Sequence, residues 1–202
     1  MPARGTNNGQ VYFAGWERTP GGNVGGGYSN ILNYSSWVQP GSRTVAWVGL
    51  SKDPSTAEWA QVGWHEYPGD VRNTFVQWTV GPGQYITPHL PAAEPVNAYT
   101  YYTVLWNYEP GKFTFYAAGR RLEGVNASFT PNQGENFGEI KTLASQMPGG
   151  YSNPEYFSDT HVWYANAWRN FDGSVFITHF GYHSAVRIGT TDLGIHDKAC
   201  PT

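Results

Sequence analysis

Cysteine, charge and long apolar runs are scarce in this chain of 202 residues. Cys200 is the only cysteine, which excludes an internal disulfide. Charged residues make up 13% of the chain and the net charge is −3, so electrostatics give no basis for binding nucleic acid or an acidic membrane. No run of eighteen apolar residues occurs, and we therefore predict no membrane span.

Several patterns of catalytic or metal-binding residues are also missing. His179 and His183 have the spacing of a helical metal pair, but the residues between them suit a strand or turn, where that spacing has no such meaning. No Gly-x-Ser-x-Gly elbow and no Glu-x-Asp-x-Glu pair of carboxylates occurs. We therefore predict no metal site and no cofactor.

Glycine, proline and aromatic residues are abundant instead. The chain has 25 Gly and 14 Pro, and 16% of its residues are aromatic. This composition favours strands joined by many turns over long helices. Turn signals every eight to twelve residues predict an all-β fold with ten or more antiparallel strands and almost no helix, either a sandwich or a closed barrel. We expect one domain over 1–202, with 1–27 and 187–202 at its periphery.

The turn signals also give strand boundaries. A glycine-rich mobile turn is predicted over 21–27, a turn over 65–73, and a polar surface tail beyond Val186. Strands are predicted over 11–16, 28–38, 46–50, 59–64, 74–80, 99–108, 112–118, 121–129, 137–143 and 157–165, with one or two more over 168–183.

Two polar residues stand out within apolar strands. Gln61 lies among the apolar residues of 59–64, where a buried amide needs hydrogen-bond partners or a ligand. Glu139 follows Gly138 and has apolar neighbours, so desolvation would raise its pKa and suit it to general-base chemistry. Other interpretations stay open: Gln61 satisfied within a sheet, and Glu139 solvated or paired with a cation (Arg120, Arg121 or Lys141).

Short segments of the chain resemble the eqolisin family of glutamic peptidases. Trp47-Val48-Gly49-Leu50 is similar to a Trp-Val-Gly-Ile segment of that family, and Gln61-Val62-Gly63, fourteen residues after Trp47, to Leu-Gln-Thr-Gly. Gly138-Glu139-Ile140 resembles the Ala-Glu-Trp-Ile segment that holds the catalytic Glu of the family. The resemblance covers roughly residues 28–166.

The resemblance implies a jelly-roll sandwich of the concanavalin A-like kind with its cleft on one sheet. It further implies a dyad in which Glu139 activates water and Gln61 stabilises the tetrahedral intermediate. The family has Asp where this chain has Ser51, Glu where it has Gln77, and a disulfide that this chain lacks. The residues expected to bind substrate in such a cleft are Trp47, Ser51, Trp59, Phe75 and Gln77.

The sequence thus supports two hypotheses about function. The first is a secreted, monomeric endopeptidase that cleaves polypeptides below about pH 5. Its signal peptide is not in this sequence, and the Asn-x-Ser sites at Asn33 and Asn126 favour secretion. The alternative is a lectin-like module without catalytic activity, which binds glycans through an aromatic face.

Overall fold

The computed structural model describes residues 11–52, 58–69, 71–81, 84–87, 89–90, 95–141, 145–150, 152–178 and 181–198. These residues form sixteen β-strands. They contain no helix long and apolar enough to cross a membrane. The strands are β1 Tyr12–Arg18, β2 Val24–Leu32, β3 Thr44–Ser51, β4 Trp59–Tyr67, β5 Val71–Gly81, β6 Gln84–Ile86, β7 His89–Leu90, β8 Tyr99–Trp106, β9 Lys112–Ala117, β10 Arg120–Asn126, β11 Gln133–Ile140, β12 Glu155–Tyr164, β13 Ala167–Asn170, β14 Ser174–Ile177, β15 His183–Arg187 and β16 Leu193–Asp197.

Two antiparallel sheets of eight strands each pack face to face. The front sheet has the order β14-β1-β11-β3-β4-β5-β6, with β7 paired to β5. The back sheet has the order β10-β9-β8-β2-β12-β16-β15, with β13 paired to β12. Both sheets are open, so the fold is a sandwich and not a closed barrel. The predicted all-β antiparallel sandwich is confirmed.

Strand β3 shows how the front sheet uses both of its faces. All eight of its residues are buried. Ala46, Val48 and Leu50 point into the core between the sheets, because successive side chains of a strand point to opposite faces. Val45 and Trp47 point to the outer face of the front sheet, where they join a second apolar cluster with Phe75, Phe137 and Phe13.

The glycine-rich segment 21–27 is not a mobile turn as predicted, because β2 begins at Val24. Two of its glycines fit under side chains of the back sheet. A Cβ at Gly25 would lie 2.4 Å from Cδ1 of Trp163, and one at Gly26 would lie 2.8 Å from Cδ2 of Leu105. Gly25 and Gly26 are therefore needed for close packing. The strand predicted over 28–38 ends early, at Leu32.

The prediction that both ends of the chain are peripheral is wrong for the described residues. Strand β1 lies between β11 and β14 inside the front sheet, and Trp16 is 1% exposed. Strand β16 lies between β12 and β15, and its Leu193 and Ile195 are fully buried. The expected surface tail therefore contributes to the core.

Two of the strand boundaries predicted for the front sheet are wrong. The predicted turn over 65–73 is shorter, because β4 continues to Tyr67 and β5 begins at Val71. Strand β11 covers Gln133–Ile140 and not 137–143. This shift adds Gln133 and Glu135 to the strand.

Candidate active site

A row of polar side chains crosses the outer face of the front sheet. Glu17 on β1 is opposite Glu135 on β11, which is opposite Gly49 on β3. Gly49 is in turn opposite Gln61 on β4, and Gln61 is opposite Gln77 on β5. Neighbouring strands lie about 4.8 Å apart, so Glu135 and Gln61 flank Gly49 with roughly 10 Å between their backbones.

Gly49 leaves the gap between these two side chains open. A Cβ at this position would lie 2.8 Å from Cζ3 of Trp47, so the indole of Trp47 covers Gly49. Any larger residue would displace that ring. The space between Glu135 and Gln61 thus has the indole of Trp47, from the same strand, as its floor and holds no side chain of residue 49.

Glu135 is held by two hydrogen bonds to the same carboxylate oxygen. The Ser51 hydroxyl donates to Oε1 at 2.6 Å, and Nε2 of Gln133 donates to Oε1 at 3.1 Å. Burial raises the pKa of Glu135 to about 7, the Ser51 hydrogen bond lowers that pKa in part, and the charge of Glu17 raises it. A carboxyl with this pKa can exchange a proton near neutral pH.

Gln61 is oriented by a chain of amide hydrogen bonds. Its Nε2 donates to Oε1 of Gln77 at 2.9 Å, and the same oxygen accepts a bond from Nε1 of Trp59 at 2.8 Å. Gln77 donates from Nε2 to Oγ1 of Thr87 at 2.6 Å. These bonds fix which end of each amide is the donor, so Gln61 has a second N–H that can serve a ligand.

Both residues line a cavity of about 450 Å³ on the outer face of the front sheet. The cavity is polar at the end formed by the row and aromatic further along β1, β3 and β11. Its lining residues are Val11, Phe13, Glu17, Arg43, Trp47, Ser51, Trp59, Gln61, Gln77, Glu135, Phe137, Glu139, Phe176 and Thr178.

Glu139 lies at the opposite end of this cavity from Gln61. It follows Glu135 by four residues on β11, roughly 13 Å along the strand. Its Oε1 forms an ion pair with Nη2 of Arg43 at 2.9 Å. The structure therefore does not bring Gln61 and Glu139 together, and the cation beside Glu139 is Arg43, not Arg120, Arg121 or Lys141.

Four of the five residues expected to bind substrate line the cavity, and one does not. Trp47, Ser51, Trp59 and Gln77 line the cavity as expected. Phe75 does not line the cavity, and its ring stacks on that of His65 with centroids 5.4 Å apart.

Sequence reasoning missed Glu17, Gln133 and Glu135. The signal for Glu135 was present, since the sequence has two Gly-Glu pairs four residues apart, Gly134-Glu135 and Gly138-Glu139. Both glutamates point to the same face of β11, and only the register with β3 and β4 distinguishes them. Glu17 lies far from both in sequence, and no local pattern connects it to this strand.

Metal binding finds no support in the described residues, which contain no group of three His, Cys, Asp or Glu side chains that could hold an ion. His179 and Cys200 lie outside the described residues.

Comparison with known proteins identifies the fold. No protein-family model matches the sequence, and no curated protein sequence matches it. Among solved structures, Scytalido-glutamic peptidase with a peptide-based transition-state analogue has a TM-score of 0.75 at 11% identity, covering 93% of this chain and 98% of that chain. A tripeptide complex of SCP-B, a member of the eqolisin family of peptidases, has a TM-score of 0.72 at 11% identity and the same coverage. This chain has the fold of these peptidases, and the predicted resemblance is confirmed at the level of fold.

Proposed function

We propose that this protein is an endopeptidase in which Glu135 is the general base and Gln61 the donor to the oxyanion. The observation that carries the proposal is that both side chains face one cavity from either side of Gly49. The backbones of the two residues lie roughly 10 Å apart. The cavity that both residues line has a volume of about 450 Å³, which has room for a water molecule and a peptide bond. Glu135 replaces Glu139 in the dyad because only Glu135 shares a cross-strand row with Gln61.

The proposed reaction has two proton transfers, the first to Glu135 and the second from it. The ionised Glu135 accepts a proton from water while the water oxygen bonds to the carbonyl carbon of the substrate. Gln61 donates an N–H to the negatively charged oxygen that forms, an interaction worth about 10²–10³-fold in rate. The protonated Glu135 then gives its proton to the leaving amide nitrogen as the carbon–nitrogen bond breaks.

The raised pKa of Glu135 defines the proposed pH range. With a pKa of about 7, the ionised form decreases about tenfold for each pH unit below that value. We therefore propose activity in mildly acidic to neutral solution, at higher pH than the range below about pH 5 expected from the sequence.

We further propose a secreted monomer that acts on polypeptides. The exposed Asn-x-Ser site at Asn126 supports secretion. Asn33 is fully buried and donates its amide to Oγ1 of Thr100, so we expect no glycan there. Expression in a eukaryotic secretory host, with and without glycosidase treatment, tests whether Asn126 alone carries a glycan.

Glycan binding by this cavity receives less support than peptide cleavage. Sugars stack on exposed aromatic faces, whereas Trp47 and Phe137 are 4% and 5% exposed. Their rings pack on each other with centroids 5.2 Å apart. We therefore propose peptide cleavage in preference to glycan binding for the part of the cavity that Trp47 and Phe137 line.

A matched pair of variants on β11 tests the proposed base. We expect Glu135→Gln to lower kcat/KM for a denatured protein such as casein by about 10²–10⁴-fold, because the general base is lost. Glu139→Gln changes the same residue type in the same cavity, and we expect it to lose less than about tenfold. Initial rates between pH 3 and 8 give the comparison. Equal losses in the two variants, or no cleavage by the wild type at any pH, would contradict the proposal.

A further inference from the structure

A second carboxylate, Glu17, lies beside Glu135 at the polar end of the cavity. The two residues are direct cross-strand partners, and the Cα atoms of such partners are about 4.5–5.5 Å apart. Both side chains line the cavity. No other pair of acidic residues occurs in the polar row formed by Glu17, Glu135, Gly49, Gln61 and Gln77.

One buried amide connects the two carboxylates. Nε2 of Gln133 donates to Oε2 of Glu17 at 3.0 Å and to Oε1 of Glu135 at 3.1 Å. Gln133 is fully buried, and its own Oε1 accepts a bond from Oγ1 of Thr19 at 3.3 Å. The Gln133 side chain therefore has both of its donors committed to the two carboxylates.

The cations near this pair are engaged by other acidic groups. Arg18, next to Glu17 on β1, forms an ion pair with Asp172. Lys52, next to Ser51 on β3, pairs with Glu58 at 2.8 Å, and Arg43 at the far end of the cavity pairs with Glu139.

The remaining elements of the row present neutral groups. Ser51 of β3, Gln61 of β4 and Gln77 of β5 carry no charge, and Ser174 of β14 is the cross-strand partner of Glu17 on its other side. Within the described residues, the polar row therefore offers hydrogen-bond donors to Glu17 and Glu135 but no positive charge that would offset their repulsion.

We propose that Glu17 is a positioning residue whose carboxylate makes the Glu17–Glu135 pair retain one proton into the mildly acidic range. The inference deepens the proposed peptidase function and rests on it. Two like charges at this separation disfavour double ionisation, so one proton stays on the pair at a pH where an isolated glutamate has lost it. Glu17 acts through Glu135 and the Gln133 amide, and it adds to the effect of burial in raising the lower pH limit of activity.

The test is Glu17→Gln, which removes the charge and keeps an oxygen that accepts the bond from Gln133. We expect the ionisation midpoint of Glu135 to decrease by about one pH unit. The ratio of kcat/KM at pH 5 to that at pH 7 should then rise about fivefold, because more Glu135 is ionised in acid. Glu123→Gln removes an exposed glutamate from β10 of the back sheet and should leave the ratio unchanged.

A second variant changes the midpoint in the opposite direction. Gln133→Met removes the donor that stabilises the ionised carboxylates, so the midpoint of Glu135 should increase. Carbon-13 NMR of glutamate-labelled protein follows the titration without substrate, with Glu135→Gln identifying the signal. An unchanged midpoint in Glu17→Gln overturns the proposal, whatever the result for Gln133→Met. A shifted midpoint in a protein that cleaves no peptide leaves the carboxyl pair supported and the peptidase proposal refuted.

Discussion

Ser51 favours the ionised form of Glu135 through a single hydrogen bond. Its hydroxyl donates to Oε1 at 2.6 Å, and this bond favours the ionised carboxylate. We expect Ser51→Ala to raise the pKa of Glu135 above about 7, because this bond lowers that pKa in the wild type. The value of kcat/KM at pH 6 should therefore decrease about threefold to tenfold, with a smaller loss above pH 8.

The measurement is the full pH profile of kcat/KM for this variant. Ser152→Ala removes a hydroxyl from an exposed residue and should retain the profile of the wild type. A Ser51→Ala profile that moves to lower pH, or decreases by the same factor at every pH, would show that Ser51 acts on the site in some other way.

The choice between Glu135 and Glu139 illustrates what a sequence can predict at single residues. An alternating apolar pattern identified Gln61 as unusual, and Gln61 does line the cavity. The two Gly-Glu pairs of β11 look alike in sequence. Their environments differ because of strands distant in the chain: β3 provides Ser51 beside Glu135, and the residue just before β3, Arg43, neutralises Glu139. Such long-range contacts have no local signal.

Gly49 of the central strand β3 is needed for two features of the site. Gly49 must lack a side chain so that the ring of Trp47 can lie over the strand, and it separates Glu135 from Gln61. We expect Gly49→Ala to displace the Trp47 ring and reduce kcat/KM at least tenfold. The overpacked strand should also lose about 1–3 kcal/mol of stability.

Activity and denaturant unfolding of the same preparation separate these effects. The control is Gly22→Ala, because a Cβ at Gly22 meets no heavy atom within 4 Å. We expect that control to change the free energy of unfolding by less than about 0.5 kcal/mol. A Gly49→Ala protein with the activity of the wild type would show that the space above β3 is not used by substrate.

Strands with strong apolar alternation were predicted well, and strands rich in glycine or close to the chain ends were not. The pair β3 and β4 agrees with the predicted runs within 46–64. In β2 the glycines of 25–27 suggested a loop. Trp163 and Leu105, which pack on two of these glycines, lie on strands distant in the sequence, so no local pattern predicts the strand. In β16 only Leu193 and Ile195 alternate, which is too short a pattern to identify a buried strand.

The core of the whole molecule contains ionisable groups from both sheets. Glu66 and Arg72 of the front sheet form a buried ion pair with a distance of 3.0 Å, and Arg72 also lies over the ring of Trp64 at 4.7 Å. Glu155 of the back sheet is fully buried. Burial raises the pKa of Glu155 well above its usual value of 4.5, and the positive charge of Arg72 opposes this only in part.

Glu155 should therefore make the folded protein more stable in acid than at alkaline pH. A carboxyl with a raised pKa in the folded state binds a proton that the unfolded chain releases. Its contribution to stability is complete below about pH 4.5, the usual value, and is lost as the pH rises through the folded-state pKa. Glu155→Gln is neutral at every pH and lacks this dependence.

We expect the Tm of the wild type, relative to that of Glu155→Gln, to decrease between pH 4.5 and pH 8. The decrease should exceed about 2–4 °C, the change that 1 kcal/mol produces in a chain of this length. Thermal unfolding followed by circular dichroism at several pH values measures it. Glu123→Gln, an exposed position on β10, should show a constant difference from the wild type. A constant difference for Glu155→Gln as well would mean that Glu155 does not change its protonation on unfolding in this pH range, which contradicts the prediction.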